Sequence, residues 1–288
     1  MTDNIDYGAR PRRIQKVIRG TPTSDGAGVR LNRVIGGPSL DMLDPFLLLD
    51  EFGTDKPEDY IAGFPSHPHR GFETVTYMLD GRMRHRDNHG HEGVLGPGSV
   101  QWMSAARGIV HSEMPEQEEG RMRGFQLWIN LPAVKKMGEP RYQEHAAEAI
   151  PSVQPADGVL VKVIAGDVDG TRGPVQQPAT DPVYLDLQLG VDAVFEPVIP
   201  AGHSSFVYVY EGELAIGGIE HAQRVTAGHL AVLSDGDSLR LKGMADDSRA
   251  IVVAGRPLRE PVARYGPFVM NTRQEIIQAV EDFNAGRF

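Results

Sequence analysis

Short apolar segments alternate with turn residues along most of the chain. Such segments lie at residues 74–79 and 125–131 in the first half, and at 184–189 and 206–210 in the second. Strands rich in Val, Tyr, Phe and Ile at this spacing predict an all-β sandwich or barrel. The 33 glycines and 21 prolines favour the same fold class, because both residues form the tight turns that join short strands.

A weak internal repeat indicates two related halves. In each half an aromatic strand ends at an acidic residue followed by Gly, at residues 77–81 and again at 208–212. A second strand then follows a turn of small residues and Gly, at 96–102 and at 226–232. A pattern that recurs in this way predicts a repeated structural unit.

The segment between the two sets of strands reads differently. Residues 135–158 lack a strong hydrophobic period, and we expect a linker there with one short helix. The predicted domains are therefore residues 1–134 and residues 159–288.

One amphipathic helix is predicted at the end of the chain. Thr272 and Glu275 have the spacing of a capping box, and Gly286 follows the last apolar residue. The apolar face of this helix comprises Ile276, Ile277, Val280 and Phe283. Packing against a barrel is the expected role of that face, with partner binding as the alternative.

Composition and charge narrow the functional classes. Apolar residues make up 40% of the chain and charged residues 24%, which is typical of a soluble globular protein. A net charge of −10 argues against unaided binding to nucleic acid or to an anionic membrane. The basic stretch at residues 10–13 is interpreted as a solvated terminal tail, with a nucleic-acid-binding arm as the alternative.

The chain has no cysteine. This excludes disulfides, zinc–thiolate sites, iron–sulfur clusters and cysteine nucleophiles, and it favours a reducing compartment. Residues 1–6 show no apolar signal region, and no stretch of about 18 apolar residues occurs. We expect a cytoplasmic protein.

Two pairs of residues carry the candidate chemistry. His67 and His69 point to the same side of an extended chain, and His111 and Glu113 form a second same-face pair. Adjacent antiparallel strands would bring the pairs together. Three imidazoles and one carboxylate suit a divalent transition metal and leave open positions for a substrate or dioxygen. Glu73 shares the parity of His67 and His69, so spacing alone leaves both glutamates as candidate ligands.

The remaining histidines are assigned weaker roles. A single His-x-His pair such as His67 and His69 is more often solvated or hydrogen-bonded than bound to a metal. The second pair, His111 and Glu113, is what favours a metal here. The tract with His85, His89 and His91 is interpreted as a solvated hairpin or loop near the pocket mouth, with a second metal site as the alternative. The second half has His203, His221 and His229 without a carboxylate at matching spacing. That half is predicted to be metal-free.

Several longer stretches resemble the pirin family of the cupin superfamily. The resemblance is carried by LDPFLLLDEF at residues 43–52, HPHRGFET at 67–74, QWMSAARGIVHSEMP at 101–115, FQLWINLP at 125–132, GRPLREP at 255–261 and YGPFVMNT at 265–272. It implies a bicupin fold, in which two antiparallel jelly-roll barrels face each other and a C-terminal helix closes the second. It also implies that only the N-terminal barrel binds a metal.

The resemblance chooses between the two glutamates. The general cupin pattern would use Glu73, whereas the pirin branch uses the glutamate after the third histidine. The implied ligands are therefore His67, His69, His111 and Glu113. Glu73 is then expected to be structural or to orient Arg70 or a ligand histidine.

Two activities follow from the resemblance. One is a quercetin 2,3-dioxygenase, which opens a flavonol ring with dioxygen and releases carbon monoxide, with Glu113 as ligand and catalytic base. The other is a metal- or redox-dependent regulator that binds a protein partner without turnover. The expected cofactor is one Fe(II) per chain, with Cu, Ni, Co, Mn or Zn as alternatives, in a monomer that binds neither nucleic acid nor membrane. Residues expected near the ligands are Phe52, Phe64, Trp102, Met103 and Gln126.

Overall fold

The computed structural model describes residues 10–288, which form mainly antiparallel β-strands. The α-helices in this range are α1 (Ala133–Lys136) and α2 (Arg273–Asn284), and the 3-10 turns are Pro57–Asp59, Ala147–Ala149 and Ile219–His221. The all-β prediction is confirmed. Within the same range no helix has both the length and the apolar character needed to span a membrane. The prediction about a signal region concerns residues 1–6, which lie outside it.

The strands are short and follow one another closely. In the first part of the chain they are β1 (Ile14–Arg19), β2 (Thr21–Asp25), β3 (Val29–Ile35), β4 (Phe46–Thr54), β5 (Phe64–His69), β6 (Phe72–Asp80), β7 (Met83–Asp87), β8 (Glu92–Leu95), β9 (Val100–Ser104), β10 (Ile109–Pro115), β11 (Met122–Asn130) and β12 (Arg141–His145). The later ones are β13 (Ser152–Val153), β14 (Val159–Ala165), β15 (Asp167–Val168), β16 (Thr171–Arg172), β17 (Val183–Leu189), β18 (Val194–Phe195), β19 (Ser204–Glu211), β20 (Glu213–Ile216), β21 (Gln223–Thr226), β22 (His229–Leu233), β23 (Leu241–Gly243), β24 (Ser248–Gly255), β25 (Ala263–Tyr265) and β26 (Phe268–Met270).

These strands form two compact units, each with a seven-stranded and a four-stranded sheet. The first unit comprises residues 20–150, 174–181 and 257–288, and its sheets have the orders β12-β9-β6-β11-β4-β3-β2 and β5-β10-β7-β8. The second unit comprises residues 10–19, 151–173 and 182–256, and its sheets have the orders β1-β22-β19-β24-β17-β14-β13 and β18-β23-β20-β21.

The predicted internal repeat appears in the strand orders. β6 runs into residues 77–81 and β19 into residues 208–212, and each strand is the third in its large sheet. The strands that follow the two small-residue turns, β9 and β22, lie beside them. The repeat in the sequence therefore corresponds to a repeat in sheet topology.

The units differ from the predicted domain bounds at both ends of the chain. β1 pairs with β22 and belongs to the second unit, whereas α2 belongs to the first. In the segment predicted as a linker, β12 pairs with β9. β1 and β12 thus fill the same edge position in the two large sheets, where each satisfies a row of backbone groups that would otherwise be unpaired. The short helix expected in the linker lies at its start, as α1.

Arg12 corrects the interpretation of the basic stretch as a solvated tail. Arg10 and Arg13 are exposed, but the side chain of Arg12 is fully buried in the second unit. Its guanidinium donates hydrogen bonds of 2.8–3.0 Å to oxygen atoms of Pro200, His203, Ser205 and Ser234. A planar group with five donors can satisfy several acceptors from loops at once, which makes Arg12 part of the core.

The C-terminal helix α2 has the predicted ends. Thr272 Oγ1 accepts a hydrogen bond from the backbone N–H of Glu275, and the Glu275 carboxylate accepts one from the N–H of Thr272. At the other end Gly286 has a φ of +67°, which ends the helix. The predicted apolar face is only partly correct, because Ile276 is buried while its neighbour Ile277 is 42% exposed.

Candidate metal centre

Two neighbouring strands of the first unit carry the three clustered histidines. β5 contributes His67 and His69, and β10 contributes His111. The strands are antiparallel, with His111 opposite His67. Because residues two apart share a face of a strand, the three imidazoles reach one place.

The distances within the cluster suit a single ion. The Nε2 atoms of His67 and His69 lie 3.0 Å apart, and one ring nitrogen from each of the three histidines lies within 4.8 Å of the others. Two nitrogens bound at about 2.0–2.1 Å and at right angles to one ion are roughly 3 Å apart. Among residues 10–288 no other group of three or more histidine or acidic side chains brings its possible ligand atoms within 4.8 Å of one another.

His69 and His111 are held in the neutral form that a metal requires. His67 Nδ1 lies 2.7 Å from the carbonyl oxygen of Pro65 and donates to it, which leaves Nε2 as the nitrogen that faces His69. Burial, followed by the neighbouring histidines, lowers the pKa of His69 and of His111 well below the usual range. Neither ring nitrogen of His111 has a hydrogen-bond partner in the described part of the chain. Buried polar atoms are normally paired, so His111 fits a ligand better than a structural residue.

Glu113 lies beside this cluster. The register between β10 and β5 shifts between His111 and Glu113, and the carboxylate of Glu113 is not within the 4.8 Å group. It is nevertheless buried, and together with His67 and His69 it lines one cavity. Burial is the main cause that raises its pKa, opposed by His67 and by a hydrogen bond from Thr76. Its role as the fourth ligand remains a prediction.

Thr76 connects Glu113 with the cavity wall. The hydroxyl oxygen of Thr76 lies 2.9 Å from Oε1 of Glu113 and 2.7 Å from Oε1 of Gln126. A hydroxyl has one hydrogen, so it donates to one of these oxygens at a time. The three side chains form a polar row, with Thr76 and Glu113 buried and Gln126 half-buried, that fixes the orientation of the Glu113 carboxylate.

Glu73 is part of a separate network in the first unit. Its carboxylate accepts hydrogen bonds from Trp102 Nε1, at 2.9 Å, and from Gln177 Nε2. Burial raises its pKa, and these bonds oppose that effect. Arg70 pairs instead with Asp282, at 2.7 Å, so the expectation that Glu73 orients Arg70 is wrong. The contacts support the structural role.

Comparing the two carboxylates gives a direct test. We expect Glu113→Gln to reduce metal affinity by at least about tenfold while the fold is kept, because a charged ligand becomes a neutral amide. We expect Glu73→Gln to keep the metal but to lower the free energy of unfolding by about 1–3 kcal/mol, because an amide N–H₂ would face the donors of Trp102 or Gln177. Elemental analysis and urea unfolding of both variants measure the two effects. If Glu73→Gln lost the metal and Glu113→Gln retained it, Glu73 rather than Glu113 would be the fourth ligand.

The other histidine tract of the first unit forms the hairpin β7–β8. His89 and His91 are exposed, as expected, and His91 Nδ1 lies 3.0 Å from Asp87. His85 departs from the expectation of a solvated loop, since it is buried and its Nε2 lies 2.6 Å from Oε1 of Glu144. The pairing of β7 with β10 puts His85 opposite Glu113, which explains its burial.

The turn after His69 is fixed from several sides. Gly71 has a φ of +90°, and a Cβ at this position would lie 1.9 Å from the carbonyl oxygen of Val269. The buried ammonium group of Lys136 donates hydrogen bonds to the carbonyl oxygens of Gly71 and Val269, at 2.6 and 2.9 Å. The ion pair between Arg70 and Asp282 ties α2 to the same turn. The position of His69 therefore depends on chain segments distant in sequence.

A cavity of about 650 Å³ opens onto the cluster. Its lining includes Asp25, Arg33, Asp50, Phe52, Phe64, His67, His69, Glu113, Gln126, Trp128 and Arg264. Of the five residues expected near the ligands, Phe52, Phe64 and Gln126 line it. Trp102 and Met103 do not, because they are buried on β9, where the indole of Trp102 donates to Glu73.

Sequence reasoning did not identify Trp128 and Arg264. Trp128 has the same parity on β11 as Gln126, so strand alternation could have found it. Arg264 belongs to β25, far along the chain from both ligand strands, and no local pattern indicates its place.

Comparison with known families agrees with these features. The family profile described as Pirin matches residues 28–129, and that described as Pirin C-terminal cupin domain matches residues 184–288.

Individual relatives cover nearly the whole chain. A protein of Pseudomonas aeruginosa, named as a candidate quercetin 2,3-dioxygenase, is 54% identical over 96% of this chain and 98% of its own. The human protein named pirin is 48% identical over 90% of this chain and 88% of its own. The crystal structure of quercetin 2,3-dioxygenase from Acinetobacter baumannii is 33% identical, with a TM-score of 0.88 over 96% of this chain and 98% of that one.

Proposed function

The chain belongs to the pirin family, and on this basis we propose that it is a metal-dependent dioxygenase that opens a flavonol ring and releases carbon monoxide. The observation that carries the proposal is the meeting of three imidazoles, two of which line an aromatic cavity. The names of two relatives support the flavonol as substrate. Dioxygen is the oxidant, so the reaction requires no separate reductant.

One divalent ion is the proposed cofactor, held by His67, His69, His111 and Glu113. Imidazole and carboxylate ligands without thiolate suit Fe(II), which we propose as the working ion. The same ligands would accept Cu, Ni, Co, Mn or Zn, and the order of metal affinities means that the ion in a preparation depends on supply. When bound, the ion supplies Lewis-acid chemistry and a place where substrate oxygen and dioxygen meet. The lack of cysteine supports a reducing, cytoplasmic setting.

The protein side chains would prepare the substrate. The carboxylate of Glu113 accepts the proton of the flavonol 3-hydroxyl, and Thr76 holds that carboxylate in place. Phe52, Phe64 and Trp128 provide apolar surface for a planar ring and exclude water around it. This division of roles follows from what each side chain offers at the cavity wall.

The proposal predicts turnover of a flavonol by the iron-loaded protein. Quercetin incubated with it under air should lose its long-wavelength absorbance and release about one carbon monoxide per molecule consumed. The same mixture without dioxygen should remain unchanged. A protein with one ion per chain that leaves quercetin intact under air would exclude this activity for that metal.

The regulatory alternative stays a prediction with its own test. It requires a protein partner whose binding depends on the metal state. Partner capture should then be lost in His67→Ala and on metal removal. Capture that is unchanged by metal removal would count against it.

A further inference from the structure

Arg264 has an unusual position in the cavity that opens onto the histidine cluster. Its side chain is exposed at the cavity wall, and its Nη1 donates a 3.2 Å hydrogen bond to the carbonyl oxygen of Leu47. In the described part of the chain no carboxylate lies within 4.0 Å of its guanidinium. Most of its five N–H donors therefore remain available to a molecule in the cavity.

The second arginine of the cavity provides a contrast. Arg33 donates to both carboxylate oxygens of Asp50, at 2.9 and 2.7 Å, and to Asp25 at 2.7 Å. Two carboxylates neutralise its charge and take three of its five N–H donors. Asp41 and Asp50 are close enough to act on the charge of Arg264, but neither forms a direct ion pair with it, so Arg264 is the arginine in this cavity whose guanidinium is open to a ligand.

Trp128 lies between the metal centre and Arg264. The centroid of the Trp128 ring is 5.2 Å from the centroid of the His69 ring and 5.6 Å from the guanidinium carbon of Arg264. A flat molecule with its oxygens at the histidine cluster would lie along this indole. Its far end would then reach the guanidinium.

We propose that the substrate is a planar aromatic hydroxy-ketone that carries an anionic group away from its chelating oxygens, and that Arg264 binds this group. This inference rests on the proposed function and adds a substrate class to it. A carboxylate, sulfonate, sulfate or ionised phenol has the required chemistry, because a guanidinium forms paired hydrogen bonds with such oxygens. Trp128 supports the aromatic part, and Arg264 acts as a specificity-determining residue.

Matched ligands test this assignment without turnover. The protein is loaded with metal, kept free of dioxygen, and titrated with 3-hydroxyflavone and with two sulfonated forms, one on the fused and one on the pendant ring. Quenching of tryptophan fluorescence reports binding. Arg264→Met removes the charge, Arg264→Lys keeps it without the paired donors, and Arg273→Met is the control, because Arg273 is exposed in the same unit but does not line this cavity.

We expect one sulfonated form to bind about tenfold more tightly than 3-hydroxyflavone to the natural protein and to Arg273→Met. In Arg264→Met this preference should disappear, while the affinity for 3-hydroxyflavone stays within about twofold. Arg264→Lys should keep part of the preference, and added salt should weaken it.

Two results would overturn the proposal. One is equal affinity of the natural protein for all three ligands. The other is an equal loss of affinity for all three in Arg264→Met, which would show that Arg264 only supports the cavity wall. Ring opening of 3-hydroxyflavone under air is measured separately, so failure of the dioxygenase assignment and failure of the anion assignment are distinguishable.

Discussion

Replacing His111 with Ala is expected to abolish stable metal binding. His111 is buried, and neither of its ring nitrogens has a hydrogen-bond partner among residues 10–288, so a bound ion would supply the partner that its lone pair lacks. Loss of a partner that merely orients a ligand costs about 10–100-fold in affinity, and loss of the ligand itself should cost more. Metal content measured after gel filtration should fall from about one ion per chain to below about a tenth.

Thermal unfolding provides a second measurement of the same change. A ligand that binds only the folded state raises the melting temperature, so added Ni²⁺ or Fe²⁺ should stabilise the natural protein and leave His111→Ala unchanged. His85→Ala is a matched control, because His85 is also buried in the same sheet but lies outside the cluster. Full metal content in His111→Ala, or its loss in His85→Ala alone, would contradict the assignment of the cluster.

Gly71→Ala is expected to destabilise the first unit severely. A side chain at a φ of +90° is strained, and its Cβ would lie 1.9 Å from the backbone oxygen of Val269. That oxygen and the oxygen of Gly71 are both held by Lys136, so neither strand can shift freely. We expect the free energy of unfolding to fall by about 3 kcal/mol or more, and the metal affinity to fall with it as His69 is displaced.

Gly90→Ala separates strain from steric overlap. Gly90 has nearly the same φ, +88°, but nothing lies within 4 Å of a Cβ built there. In this variant the free energy of unfolding should therefore fall only by the cost of the left-handed backbone conformation, about 1 kcal/mol, and the metal should be kept. Urea unfolding of both variants gives the comparison. Similar losses in the two would mean that the contact with Val269 relaxes at little cost.

Local pattern was sufficient to predict several of the longer strands, such as β6, β11, β17 and β19, and the ends of α2. The alternation of apolar residues and the capping pair Thr272 and Glu275 act over a few residues, so they are readable without the fold. The domain bounds are not local in this sense. β1 joins the second unit because β22 needs an edge partner, and nothing in residues 14–19 themselves indicates which sheet they complete.

The histidine cluster was predictable for a related reason. His67 and His69 share a face of β5, and only the pairing with β10 had to be assumed to bring His111 to them. Spacing left Glu73 equivalent to Glu113. The family resemblance selected Glu113, and the hydrogen bond from Gln177, 104 residues away, gives Glu73 a structural role that no local pattern indicates.

The long-range pairing of β1 has a consequence for how the chain folds during synthesis. Arg12 and β1 leave the ribosome well before their partners, because Arg12 bonds to Ser234, which is 222 residues further on. The first unit likewise needs α2 from the end of the chain. The two larger sheets of the first unit use residues 21–145 and can form early, whereas the large sheet of the second unit must wait for β22 and β24. Pairings of such high sequence separation form slowly. The edge of β1 that later pairs with β22 must therefore remain without its partner until β22 is made. The strand carries exposed charged residues such as Lys16 and Arg19, and charges on a strand edge discourage pairing with another chain.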